Sequence, residues 1–151
     1  LDACIPNLAS SFYGNSGQRC LAGSVLVAVG DRADEVVERF VGAVSGMRVG
    51  PGLDQTVQMG PLAGHRQYQH VLDCIEKGVA EGAKLLLDGR GCKVPGYENG
   101  FFVGPTVFDQ VSPEMFLAHE EIFGPVASIV RVGNFDEAIE LVNSTAHRKT
   151  R

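Results

Sequence analysis

The sequence predicts an α/β domain in which a largely parallel sheet is flanked by helices. Three observations carry that prediction. Segments with apolar residues at helical spacing alternate with short apolar runs of strand length, the order expected when helices cross over between parallel strands. One run, Val25-Leu26-Val27-Ala28-Val29, is apolar at every position, as in a strand buried on both faces of a parallel sheet. Nineteen glycines punctuate the pattern densely enough to end most elements with a turn. At 151 residues the chain fits one domain with a sizeable core.

The elements follow in order. Ile5, Leu8, Ala9, Phe12 and Tyr13 form a helical stripe over 4–13, with Gly14 as its C-cap. A strand is expected over 24–29, closed by Gly30-Asp31. Asp34 is placed to cap a helix whose apolar positions are Val37, Phe40, Val41 and Val44. Gly46 and Gly50-Pro51-Gly52 end it, and a loop follows to residue 64. Tyr68, Val71, Leu72, Ile75 and Val79 make 65–81 the clearest helix, with Cys74 beside the stripe and Gly82 at its end. Residues 84–87 read as a strand before a loop or loose hairpin over 89–100. Strand pieces at 101–103 and 106–108 are split by Gly104-Pro105. Ser112-Pro113-Glu114 opens a short helical turn. A strand over 127–132 follows, then a helix over 135–142 that starts at a capping-box-like Asn134 and Glu137.

Charge and cysteine usage narrow the function classes. The formal net charge is −5 and the basic residues are scattered, which argues against a nucleic-acid-binding surface. His147-Arg148-Lys149-Thr150-Arg151 reads as a solvated end. Cys4, Cys20, Cys74 and Cys92 show no CxxC spacing, and no histidine lies at a zinc-ligand offset from them. His65 and His70 are five apart, which splits them between helical faces, so no metal site is expected. The same cysteine usage fits a reducing compartment, the cytoplasm or the mitochondrial matrix. No apolar run approaches the roughly 20 residues that span a bilayer, so no membrane partner is expected. No signal peptide is visible, and Leu1 in place of Met suggests a cut N-terminus.

Two stretches carry chemistry. In Phe12-Tyr13-Gly14-Asn15-Ser16-Gly17-Gln18-Arg19-Cys20-Leu21-Ala22-Gly23 a thiol sits on a Gly-rich turn before a buried strand. Backbone N–H groups and the Arg19 charge favour thiolate there, and thiolate is the nucleophile. A cysteine packed as a small apolar residue is the competing reading. In Glu120-Glu121-Ile122-Phe123-Gly124-Pro125-Val126 a carboxylate on a turn can accept hydrogen bonds from a diol such as a ribose, and Phe123 can face a flat ring. A solvated Glu pair and a core Phe remain open beside it.

Taken together, the stretches resemble the aldehyde dehydrogenase superfamily. Gly17-Gln18-Arg19-Cys20 looks like its nucleophile motif and 120–126 like its second signature, about a hundred residues on. Met59-Gly60-Pro61-Leu62, Gly82-Ala83-Lys84 and Leu87-Asp88-Gly89 match in order between them. Leu86-Leu87-Asp88-Gly89-Arg90 and 96–106 are most similar to the CoA-acylating methylmalonate-semialdehyde dehydrogenase branch. The resemblance implies a Cys20 nucleophile, with the Cys20 N–H as one oxyanion donor. It implies NAD as hydride acceptor, with Glu121 on the nicotinamide ribose and Phe123 near the nicotinamide ring. It implies CoA as acyl acceptor, and Arg19 pairing with the carboxylate of malonate or methylmalonate semialdehyde; an Arg19 satisfied by backbone carbonyls is the alternative. Glu120 receives no role.

The resemblance also implies that 1–146 is an incomplete catalytic domain, that the NAD-binding domain is absent, and that 147–151 is an atypical tail. The isolated chain is then expected to be nearly inactive, and the full-length protein to be a dimer or tetramer. A hydrolytic NAD(P)-dependent aldehyde dehydrogenase and a non-catalytic fragment are the rival readings.

Overall fold

The structure, a computed structural model, describes residues 1–144. The expected tail at 147–151 lies outside the described residues. Four strands form one sheet: β1 (Val25–Val29), β2 (Lys84–Leu87), β3 (Thr106–Asp109) and β4 (Val126–Val132), in the order β1-β4-β3-β2. β4 is parallel to both β1 and β3, and only the β2–β3 pair is antiparallel. The largely parallel α/β expectation therefore holds.

Period-two alternation on β3 and β4 divides the core between two faces. Val107, Ala127 and Ile129 face one layer with Phe12, Tyr13, Phe40 and Val44. That layer is built by α1 (Cys4–Tyr13) and α2 (Ala33–Ser45). Phe108, Val126 and Val130 face the other, with Val71, Ile75 and Leu117 from α3 (His65–Ala80) and α4 (Phe116–His119). α5 (Phe135–Ser144) closes the described chain.

Several expectations change in detail. β1 is apolar throughout yet only Ala28 is fully buried, because it lies at the sheet's edge. Asp34 does not cap α2; it lies in the first turn, and its carboxylate accepts from Arg131 Nη1 at 2.6 Å. On α3, Cys74 lies inside the buried stripe and Val79 is 43% exposed. Residues 101–103 join no strand, although Phe102 and Val103 are buried. The helical turn expected at Ser112 is a turn closed by Met115 N–H on Ser112 O (3.1 Å), and α4 begins only at Phe116. The α5 cap forms: Glu137 N–H donates to Asn134 Oδ1 (3.0 Å), while the Glu137 carboxylate accepts from Gly133 N–H (2.7 Å).

Two features lock the sheet to its helices. Arg131 on β4 donates through Nε and Nη2 to both oxygens of buried Asp109 at the end of β3, each at 2.9 Å, and reaches Asp34 on α2 with Nη1. Tyr13, fully buried and stacked on Phe40, donates its hydroxyl to Thr106 O at 2.8 Å. Burial pushes that phenol well above its ordinary range. Tyr13→Phe is expected to lower stability by about 1 kcal/mol, the usual net worth of such a bond, in a urea titration; an unchanged midpoint would show that the bond adds nothing.

Candidate active site

Tyr13 is the last residue of α1, and the chain leaves it through a 3-10 turn, Gly14–Gly17. Gly14 does not take the left-handed conformation of a helix-ending glycine. Instead Asn15, Ser16 and Gly17 do, with φ of 54°, 57° and 70°. Left-handed backbone at two non-glycine residues costs about 1–2 kcal/mol each and persists where surrounding bonds over-determine it. Those bonds are present. Buried Ser16 donates its hydroxyl to Gly60 O at 2.7 Å. Asn15 Nδ2 donates to Gln18 O (3.1 Å), and Gln18 N–H donates back to Asn15 O (3.1 Å). Gln18 Oε1 accepts from Ala63 N–H at 2.9 Å.

Cys20 follows at the second position of a turn, Arg19 to Ala22, closed by Ala22 N–H on Arg19 O at 3.0 Å. Its thiol is free and exposed. The closing bond uses the Ala22 amide, so the turn does not spend the Cys20 N–H. Cys4 is exposed as well, whereas Cys74 is buried and Cys92 half-buried. Burial, then the Asp73 charge, pushes the Cys74 thiol up to about 11, and burial raises Cys92 too. Both are held as the poorly nucleophilic thiol near neutral pH.

Arg19 reaches back to α1 with one end of its guanidinium. Its Nη2 donates to Ser10 O (2.8 Å) and Ser11 O (3.4 Å), two carbonyls of the last turn of α1. A guanidinium is favourable there, at the negative end of the helix. Gly14 leaves the space it needs, since a Cβ at Gly14 would lie 2.5 Å from Arg19 Nη2. Both two-point edges of a guanidinium include Nη2, so this geometry leaves only Nη1 and Nε to meet a carboxylate.

The second stretch reaches the first through backbone. Gly17 and Gly124 pack so closely that a Cβ on Gly17 would lie 2.1 Å from Gly124 O. Phe123, immediately before, is left-handed at φ 55° and 37% exposed, while Ile122 is buried. Glu121 and Glu120 border a cavity of about 250 Å³ whose other walls include Ala22, Ser24, Val25, Val27 and Val130. Ala22 and Ser24, just past Cys20, and Glu121 therefore border one space. Cys20 and Phe123 are not among its walls; the thiol turn and the phenyl turn meet instead through the backbone of Gly17 and Gly124.

Sequence reasoning missed the fastenings. Gln67, in the first turn of α3, donates Nε2 to Ile122 O (3.0 Å) and Phe123 O (2.8 Å). Glu81, just past the end of α3, accepts from Phe116 N–H at 2.8 Å, and Lys77 Nζ lies 3.8 Å from the centre of the Phe116 ring. These contacts run to the backbone or ring of distant segments and leave no local pattern. Among the described residues no three His, Cys, Asp or Glu could hold a metal, and no helix is long and apolar enough to cross a membrane.

Fold and site together define an α/β domain with a largely parallel sheet and an exposed, free cysteine on the turn before β1. The chain belongs to the aldehyde dehydrogenase family, whose model matches residues 1–150. It is 44% identical over 144 residues to malonate-semialdehyde dehydrogenase of Pseudomonas aeruginosa, covering 95% of this chain and 29% of that protein. It is 44% identical over 140 residues to a Drosophila pseudoobscura pseudoobscura protein named as a methylmalonate-semialdehyde/malonate-semialdehyde dehydrogenase, acylating and mitochondrial, covering 93% of this chain and 27% of that one. Among solved structures it matches one described as a methylmalonate-semialdehyde dehydrogenase from Sinorhizobium meliloti 1021 with NAD. The TM-score is 0.93 and the identity 40%, over 95% of this chain and 30% of that one.

Proposed function

We propose that residues 1–146 form the nucleophile-bearing part of an NAD-dependent semialdehyde dehydrogenase that passes its acyl group to CoA. The close approach of Gly17 to Gly124 carries this reading, because it holds the thiol turn and the Glu121–Phe123 turn against each other. The names of the relatives support the aldehyde, malonate or methylmalonate semialdehyde, and the acylating name of one supports CoA.

In this reading the Cys20 thiolate forms an S–C bond to the aldehyde carbon. The carbonyl pair moves to oxygen, and the Cys20 N–H steadies that oxyanion. NAD, when bound, supplies the acceptor for the hydride that leaves this carbon with its electron pair. Glu121 would accept from ribose hydroxyls and Phe123 would hold the nicotinamide ring. The acyl group stays on Cys20 as a thioester until a CoA thiolate attacks it and the Cys20 thiolate departs. With Nη2 fixed on α1, Arg19 offers the substrate carboxylate its charge and a single-point hydrogen bond, from Nη1 or from Nε.

The test is iodoacetamide labelling of this chain, read by peptide mass spectrometry. Cys20 is expected to label faster than Cys4, which is also exposed, and far faster than Cys74 and Cys92. A Cys20 rate no greater than that of Cys4 would mean that exposure alone sets its reactivity, and the nucleophile reading would fall.

A further inference from the structure

Phe123 stands in a conformation that a phenylalanine does not hold unaided. Its φ of 55° costs a side-chain-bearing residue about 1–2 kcal/mol. The Gln67 amide group donates to the carbonyls on either side of it, Ile122 O and Phe123 O. Those carbonyls belong to the two peptide planes flanking the Phe123 Cα, so one NH₂ group fixes both of its torsions. Val71, four residues after Gln67 and on the same face of α3, fills the space beneath Gly124. The thiol turn is tied to the connection leading into the same helix. Ser16 donates to Gly60 O, and Gln18 bonds Ala63 N–H and, more weakly, Pro61 O at 3.4 Å.

We infer that Gln67 is a positioning residue that sets the direction of the Phe123 ring, and that residues 60–67 are the common mount holding the thiol turn and the phenyl turn at one spacing. The inference rests on the reading of Phe123 as a nicotinamide contact. Gln67 does not touch the reacting atoms; it acts through the backbone of Phe123.

Two variants of the whole chain separate this role from generic support. Gln67→Glu keeps the side chain's size and removes its donors. Gln67→Lys returns a donor on a longer stem. The first readout is amide hydrogen exchange. The Val126 N–H donates to Gly124 O at 2.8 Å, next to the clamped turn, while the Ser128 N–H donates to Ser24 O and the Val111 N–H to Ile129 O away from it. Gln67→Glu is expected to speed exchange at Val126 by about tenfold or more, with Ser128 and Val111 unchanged, since the opening is local; Gln67→Lys is expected to restore most of the protection. The second readout is protection of Cys20 from iodoacetamide by nicotinamide mononucleotide. Protection is expected in the parent chain, weakened in Gln67→Glu and recovered in Gln67→Lys.

Unchanged exchange at Val126 in Gln67→Glu, or an equal rise at all three amides, would overturn the inference. So would undiminished protection of Cys20 in Gln67→Glu. If the mononucleotide fails to protect Cys20 even in the parent chain, the cofactor reading of Phe123 falls, and the exchange data still decide whether Gln67 sets the turn.

Discussion

Gly17→Ala is expected to remove most of the folded population of the chain, or to force the thiol turn away from the phenyl turn. Two penalties coincide at this position. A φ of 70° costs alanine about 1–2 kcal/mol. The added Cβ would also lie 2.1 Å from Gly124 O, 2.6 Å from Gly124 C and 3.2 Å from Phe12 O. All three neighbours are backbone, so no side chain can swing aside. Losses above about 4 kcal/mol come from lesions of this kind, and a native domain has only about 5–15 kcal/mol to lose. Gly52→Ala serves as the control, since a Cβ there meets nothing within 4 Å. Urea midpoints and the Cys20 labelling rate check both outcomes. A Gly17→Ala chain with the parent's midpoint and labelling rate would show that the two turns are not held together by this contact.

Asp109→Ala is expected to cost about 2–3 kcal/mol, the upper range for hydrogen bonds to a charged group, since Arg131 stays partly exposed. Asp109 is 1% exposed and takes both Arg131 bonds, so its removal leaves Arg131 with only the exposed Asp34. The penalty should depend on pH. Burial works against the Asp109 charge, but the Arg131 hydrogen bonds, the Gln110 N–H and the charges of Arg131 and Lys84 outweigh it and hold the carboxyl below its usual range. A carboxyl depressed in the folded state binds its proton more tightly in the unfolded chain, so acid favours unfolding. The stabilisation is complete above the ordinary carboxylate value near 4 and is lost as pH falls through the lower folded value. Melting curves of both chains from neutral pH downward should therefore converge in acid. A gap that stays constant across that range would mean that the lost contacts were not those of an ionised pair.

What could be read beforehand depends on how local its cause is. Val71 and Ile75 on α3, and Phe40 and Val44 on α2, announce their burial through helical spacing, and all four are core. The apolar run of β1 points to a strand and to parallel pairing, but not to its place at the sheet's edge, because strand order is set by the other strands. The burial of Cys74 and the exposure of Val79 depend on which neighbours α3 meets along its length, which its own periodicity does not report. At the site, Cys20, Glu121 and Phe123 are visible through the motifs around them. The left-handed residues Asn15 and Ser16 and the grip of Gln67 on Phe123 are not. Asn15 is held by Gln18, but Ser16 and Gln67 bond carbonyls some 40 to 60 positions away, and any polar side chain on a surface helix looks alike from its neighbours.

The attachments at the two ends of α3 limit how its length can change in evolution. Gln67 grips the carbonyls at Phe123, and Glu81 receives the Phe116 amide. At about 3.6 residues per turn, the interval between these two residues is close to four whole turns, so both reach the 116–124 segment from the same side. Inserting or deleting one residue between them would rotate one end by about 100° and detach either the phenyl turn or α4. Surface helices usually tolerate such changes at their ends. Here the interval should admit substitutions but no indels, and length variation should fall instead in exposed stretches such as the loop around Leu53.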